Sequence, residues 1–590
     1  MATRRRRRKT GHIKPWAILA VVMIMIAGIV GVIVLASRYS PSKEVTDLEK
    51  YYNLTIAPLQ GRDAAAENEM AIVLEEEILN ERAFLHEGTI YISHELVKTR
   101  IDERFYFDDN EEMLIFTNAL QNITVLMDQS SYTIDDQRVE TDYVILIEKK
   151  DKIYLAVKFV EAFSSVQYQT YEEPPRLVIT HKIGEKTFVD AKKKTWIRER
   201  GGIKSGVVGT IKSGDKLQVI EDLDDWLEVV SAEGWVGYVA TSAVKDKYTE
   251  VVVSDYDEPE YTSLNMGETV KLGWAGVFVA DANDRYNEYT RDADGILNVY
   301  SPTWYFLKDG QGKITMLSDA EIVRQAHQDG YLVWALFSDE DYDFVEQALT
   351  HTSVRREMVK TLIADMKEKD IDGVNVDFER IMAEYGDDFI QFIRELSVEC
   401  RKESLYLTVD NYTPYEFNAC YHIEEQGRIC DYVIIMVYDD YVGSGKIGPN
   451  SSLPFVRKSM DLSTSKVASE KLIAALPFYS RFWFTDNTVS TDDADNNGDS
   501  NKPKYSRKEY SMSKAWELLE QMNVTAQWNA EDGLDYAHYD YGNETVDAWL
   551  ESADSIREKL NTVKQYNLGG VAFWQLGQER STVWEHIAAY

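Results

Sequence analysis

The sequence predicts an α/β protein: a (β/α)8 barrel over residues 262–590, preceded by a small β-barrel and a β-rich stalk domain, with one apolar helix of membrane length near its start. Three observations carry this reading. Between 262 and 590, eight short apolar runs alternate with amphipathic helical stretches, the pattern of parallel strands joined by crossover helices. From residue 88 to about 248 short apolar runs recur instead, alternating with period two in the stalk and broken by Gly and Asp turns beyond it. Finally, Pro15–Ser37 holds 23 residues without a charge.

In chain order, residues 1–14 form a basic tail whose "RRRRRK" precedes the apolar segment 15–37. At 1.5 Å per residue that segment spans the hydrocarbon core of a bilayer, and it exceeds the apolar core of a cleaved signal peptide. Its arginines are expected on the cytoplasmic side, which puts the C-terminal bulk outside a single-pass anchor; a cut after "VLAS" is the alternative. Removing the seven positive charges of Arg4–Arg8, Lys9 and Lys14 from the net −36 leaves −43 on the rest of the 590 residues. So acidic a body argues against nucleic acid as a partner. Three cysteines are too few for a disulfide scaffold, although Cys420 and Cys430 could pair.

Residues 38–184 read as the stalk. There "GTIYISHELVKTRI" followed by "FYFDDNEEMLIFTNA" resembles the repeat domain named after the N-terminus of copper amine oxidases. The resemblance implies spacing or binding at a wall rather than copper, since no His cluster stands there to hold a metal. Residues 185–248 hold five short strands, and "WIRERGG", "IKSGDKLQVI", "WLEVV" and "GWVGYVA" resemble the bacterial SH3-like module, which implies binding of cell-wall peptides. Trp196, Trp226 and Trp235 either line a groove there or fill the core of that small barrel.

The barrel strands are expected in "VKLGWAGVFV", "LNVYSPTWYFL", "GYLVWALFS", "DGVNVDFE", "LYLTVDN", "DYVIIMVYD", "LIAALPFYS" and "GGVAFWQLG". No Gly-rich phosphate loop follows any of them, so no cofactor is expected. The fourth, residues 372–379, raises the functional question. Side chains alternate along a strand, so Asn375, Asp377 and Glu379 share one face and Val374, Val376 and Phe378 the other. Carboxylates climbing the inside of a barrel toward its C-terminal rim, with no base among them, suit acid catalysis better than an internal ion cluster. A lower acid about 6.5–7 Å away along the strand helps an upper one stay protonated. Glu379 is then the general acid.

"DGVNVDFE" resembles the D-x-x-D-x-D-x-E signature of glycoside hydrolase family 18. "MVYD" (Met436–Asp439), "LPFYSRFW" and "GGVAFWQLGQE" resemble three further strands of that family. The resemblance covers 262–590 and is nearest the branch of spore-cortex and cell-wall glucosaminidases. It implies substrate-assisted, retaining cleavage of β-linked N-acetylglucosamine glycans, with peptidoglycan in a wall outside the membrane as the expected polymer and a chitinase or a non-catalytic glycan-binding barrel as alternatives. Carried over residue by residue, Glu379 is the acid, Asp377 holds the acetamido N–H, Tyr438 bonds the acetamido oxygen, Asp439 orders the site and Trp574 floors the sugar subsite. Asn375 departs from the pattern, since an amide cannot titrate where the family has an aspartate; Asp372 then has either a relay or a structural role. Tyr479 joins Trp274, Trp304, Trp334, Tyr412 and Trp483 as candidate sugar-stacking aromatics. "DADNNGDSN" (493–501) offers calcium-type oxygens but reads as a solvated loop, so no metal is expected. Oligomeric state is left open.

Overall fold

All eight predicted apolar runs form parallel strands in the computed structural model: β1 (Val270–Ala275), β2 (Val299–Leu307), β3 (Leu332–Asp339), β4 (Gly373–Asp377), β5 (Tyr406–Tyr412), β6 (Tyr432–Met436), β7 (Leu472–Pro477) and β8 (Gly570–Trp574). Pairing runs β1-β8-β7-β6-β5-β4-β3-β2, and β1 pairs with β2, which closes the barrel. The structure describes residues 14–54, 68–135, 137–339, 342–442, 446–488 and 505–590. The basic run 4–9 and the 493–501 loop lie outside them.

Alternation along β4 sorts its side chains as the sequence predicts. Val374, Val376 and Phe378 are buried in the outer core, among Leu362, Met366, Phe389 and Ile393 of the surrounding helices. Asn375 faces inward at 0% exposure. The inner core below the mouth is aromatic and aliphatic, with Trp274, Trp334, Leu336, Tyr432, Ile434 and Ile473. Gly373 begins β4 because a Cβ there would lie 2.5 Å from the Tyr406 carbonyl oxygen. Without a side chain β4 and β5 can close together at the foot of the site strand.

Helices Thr352–Lys369 and Gly386–Glu403 flank β4 and end on left-handed residues, Asp370 (φ 60°) and Ser404 (φ 57°). Between β7 and β8 the chain inserts an antiparallel sheet of five strands (Tyr479–Asp486, Tyr505–Ser511, Gln527–Asn529, Leu534–Tyr541, Glu544–Leu550) and the helix Met512–Gln521. Its own small core is built from Phe482, Phe484, Leu519, Val546 and Leu550.

The chain divides into two compact units: 1–102 with 143–258, and 103–142 with 259–590. The sequence reads 38–184 as one stalk, whereas the structure lends its middle to the barrel unit. That middle is a five-stranded antiparallel meander, Phe105–Asp108, Met113–Thr117, Asn122–Leu126, Ser131–Ile134 and Gln137–Glu140. Its attachment to the barrel is polar and buried. Asp108, fully buried, accepts from the backbone N–H (2.7 Å) and hydroxyl (2.6 Å) of Thr352 and so caps a helix whose own N-cap residue supplies no side-chain bond. Tyr106 donates to Asp388, and Gln391 donates to Thr117 Oγ1 at 3.0 Å. Beneath them Arg355 pairs with Glu395 at 3.1 Å, both buried.

In the other unit, one seven-stranded sheet contains Glu69–Leu74 paired in parallel with Pro175–Thr180. A second seven-stranded sheet covers Gly184–Val252. Trp196, Trp226 and Trp235 are each half-buried there. Trp235 packs on its small-barrel core and carries the Arg176 guanidinium 4.0 Å above its ring. This unit also contains the helix Pro15–Tyr39, 25 residues, long and apolar enough to cross a membrane and with none of its residues buried.

Candidate active site

The site is built on the C-terminal ends of β4, β5, β6 and β8, the end where barrels of this kind collect functional groups. Pairing puts Asn375 opposite Leu336 of β3 on one side and Thr408 of β5 on the other. The Asn375 side chain is fixed at both ends: its Oδ1 accepts from Trp274 Nε1 at 2.8 Å, and its Nδ2 donates to Asp410 Oδ1 at 2.8 Å. Asp372, at the foot of the strand, accepts from Val333 N–H (2.7 Å) and meets His327 Nε2 at 2.8 Å. Those bonds tie β3 and the helix Ala320–Gln328 to the foot of β4, at the end opposite the mouth.

Two residues up from Asn375, Asp377 has a buried Oδ1 that receives no hydrogen bond. Burial holds its carboxyl well above the usual range, and the nearby charges of Asp410, Glu379 and Asp339 push the same way. Glu379 stands just past the strand end, half-buried, and Tyr412 of β5 donates to its Oε2 at 2.6 Å. The Tyr412 phenol is itself driven upward, first by burial and then by Glu379. At the end of β3, burial pushes the Asp339 carboxyl up to about 6, with the Glu379 charge adding to it.

Tyr438 follows β6, buried, its ring edge-on to Tyr479 at 6.0 Å. Asp439, with φ 66°, accepts at Oδ1 from the Tyr479 hydroxyl (3.1 Å) and from Arg481. Arg481 is nearly fully buried, and its Nη1 has no partner. Trp574 ends β8, half-buried, edge-on to Trp274 at 5.9 Å. A cleft of about 290 Å³ opens beside it, lined by Asp439, Tyr479, Arg481, Arg507, Tyr510 and Trp574. Glu379 and Asp377 are not part of that lining.

The structure thus gathers Glu379, Asp377, Asn375, Tyr438, Asp439, Tyr479 and Trp574 at one mouth. Of the other candidate aromatics, Trp304 is packed against Asn283 in the outer core, Trp334 lies at the barrel's foot between Tyr406 and Tyr432, and Trp483 donates to the Gly448 carbonyl at 2.7 Å. Sequence reasoning missed Asp410, Asp339 and the bond from Tyr412 to the acid. The only sign of Asp410 is a single acidic letter in "LYLTVDNY".

The mouth thus carries the Glu379 carboxyl above Asp377, both half-buried, with the Asp377 Oδ1 unpartnered and with aromatic side chains around them. Comparison with known proteins gives the class. Residues 305–579 match the family model "Glycosyl hydrolases family 18", and residues 196–245 match "Bacterial SH3 domain". The barrel belongs to glycosyl hydrolase family 18, and the chain is a glycoside hydrolase. The "Uncharacterized glycosylase YvbX" of Bacillus subtilis (strain 168) is 22% identical over 344 residues, 54% of this chain and 92% of that protein. The "Cortical fragment-lytic enzyme" of the same organism is 21% identical over 39% of this chain and 52% of its own length. Among solved structures, the Bacillus cereus spore cortex-lytic enzyme SleL aligns at 18% identity and TM-score 0.46, over 54% of this chain and 73% of that one.

Proposed function

We propose that this chain hydrolyses glycans containing β-linked N-acetylglucosamine, peptidoglycan foremost, by substrate-assisted retaining catalysis outside the membrane. The observation that carries the reading is the bare, buried Oδ1 of Asp377 next to Glu379. A buried polar atom without a partner calls for one, and an acetamido N–H is of the right kind.

In this reading Glu379 gives its proton to the glycosidic oxygen as the bond from that oxygen to the anomeric carbon breaks. The carbonyl oxygen of the sugar's own 2-acetamido group bonds to the anomeric carbon from the other face. Asp377 accepts from the acetamido N–H and faces the positive oxazolinium ring, while Tyr438 donates to the acetamido oxygen before attack. Water then adds to the anomeric carbon, its proton passes to Glu379, and the ring opens with net retention. Trp574 supplies the apolar floor for the sugar. Asp439, held by Tyr479 and Arg481, keeps the rim ordered.

Peptidoglycan is favoured over chitin by the bacterial SH3 domain on the same chain and by relatives named for cortex lysis. Helix Pro15–Tyr39 anchors the protein, with the arginine-rich tail cytoplasmic and the barrel on the wall side. The test is mass analysis of products from purified peptidoglycan, with Glu379→Gln as control. Products ending in reducing N-acetylglucosamine support the reading. Muramic-acid ends, or equal digestion by Glu379→Gln, refute it.

A further inference from the structure

Asn375 poses a question of proton accounting. Its Oδ1 accepts from the Trp274 indole, which can only donate, so the atom it turns to Asp410 is its amide nitrogen. That amide has no proton to trade with Asp377. Yet Asp377, itself half-buried, has a buried Oδ1 without a donor. Carboxylates crowded together out of water cannot all stay ionised.

The register shows where a proton can reside. Asn375 lies opposite Thr408 and Val376 opposite Val409, so the next inward step up the barrel sets Asp377 beside Asp410. Asp410 is 4% exposed. The groups that face this pair are Asn375 and Glu379 from the β4 side, Tyr438 from β6, Asp339 from β3, Tyr412 from β5 itself and Tyr421 from the turn that follows β5. The ionisable members of that set are carboxyls and phenols.

We propose that Asp410 is the proton-holding partner of Asp377, a positioning residue on β5 that supplies the titratable neighbour which Asn375 cannot be. One proton resides in the pair. Asp410 holds that proton in the empty site, and when positive charge forms on the substrate it still carries it as an O–H donor while Asp377 is the anion. No bond other than O–H is made or broken, and the proton is neither consumed nor released. In agreement, burial pushes the Asp410 carboxyl up to about 8, with the Glu379 charge adding and the Asn375 donor opposing. The role in catalysis rests on the hydrolase reading, whereas the proton itself belongs to the free protein.

The experiment therefore has two arms. In infrared difference spectra of the full chain without substrate, the wild type minus Asp410→Asn should show a protonated carboxylic C=O band at neutral pH that titrates near pH 8. In kinetics on peptidoglycan, Asp410→Asn should remove that ionisation from the alkaline limb of kcat/KM. Asp410→Ala should lower kcat about tenfold or more with little change in KM. A difference spectrum without the band, or an Asp410→Asn pH profile superimposable on the wild type, overturns the proposal; circular dichroism checks each variant for folding. If the wild type itself cleaves nothing, the hydrolase reading falls and the infrared arm still decides the proton.

Discussion

Tyr412 Oη donates a 2.6 Å hydrogen bond to Oε2 of Glu379 across the gap between β5 and the end of β4. The bond aims the acid and holds it at the mouth. A net hydrogen bond is worth about 0.5–1.5 kcal/mol, and about 1.4 kcal/mol is a tenfold change. Tyr412→Phe should therefore reduce kcat by a factor of about two to ten while KM changes little. Steady-state kinetics on a soluble N-acetylglucosamine oligomer measure this, and an unchanged kcat would remove Tyr412 from the acid's support.

Glu379→Gln removes the acid while keeping the Tyr412 contact. Turnover should fall by about a hundredfold or more, as loss of general acid catalysis does. Retained sedimentation of the variant with insoluble glycan would separate lost chemistry from lost binding.

A thiazoline analogue of the oxazolinium ion should inhibit competitively, because on taking up a proton at its ring nitrogen it presents an N–H and a cationic ring to Asp377. Asp377→Asn should bind it at least about tenfold more weakly, since an analogue of a charged intermediate gains most from the charge it pairs with. Calorimetric titration reads both affinities. No inhibition of the wild type at high concentration would count against substrate assistance.

The raised carboxyls also predict a pH dependence of stability. Asp339 is pushed up to about 6 and Asp410 to about 8, against about 4 when unfolded. A raised folded-state value means the native state binds more protons than the unfolded chain, so its contribution is full below about pH 4 and is lost as pH rises through the folded value. Asp339→Asn should thus gain thermal stability relative to the wild type between pH 4 and pH 6 or so. Asp410→Asn should go on gaining up to about pH 8. Melting curves at stepped pH test both, and a constant difference across that window would contradict the assignment.

Asp108→Ala takes away the cap of helix Thr352–Lys369. The cost should be about 1–2 kcal/mol in urea unfolding of the full chain. A barrel expressed as 259–590 alone should fare worse, because it uncovers Arg355, Gln391 and Glu395, all buried in the full chain.

The barrel was legible because each strand is a short apolar run and each crossover an amphipathic one, both local signals. The acid ladder was legible for the same reason: period two places Asn375, Asp377 and Glu379 on one face without any knowledge of neighbours. Asp410 was not, because an aspartate near a strand end reads as ordinary punctuation until the register of β4 against β5 sets it beside Asp377. Tyr412 was visible as an aromatic but not as a donor, since its partner comes from another strand. The allegiance of 103–142 was hidden too. A meander with one apolar face advertises that it needs a core, and nothing in its period says which core it covers.

That borrowed meander has a mechanical consequence. The polypeptide passes between the two units at 102/103, at 142/143 and again at 258/259. A protease that nicks any one of these passages leaves the others intact, so the hydrolytic head is not shed by a single cut. In an environment of lytic enzymes, such triple stitching keeps the barrel joined to the half that carries the apolar helix.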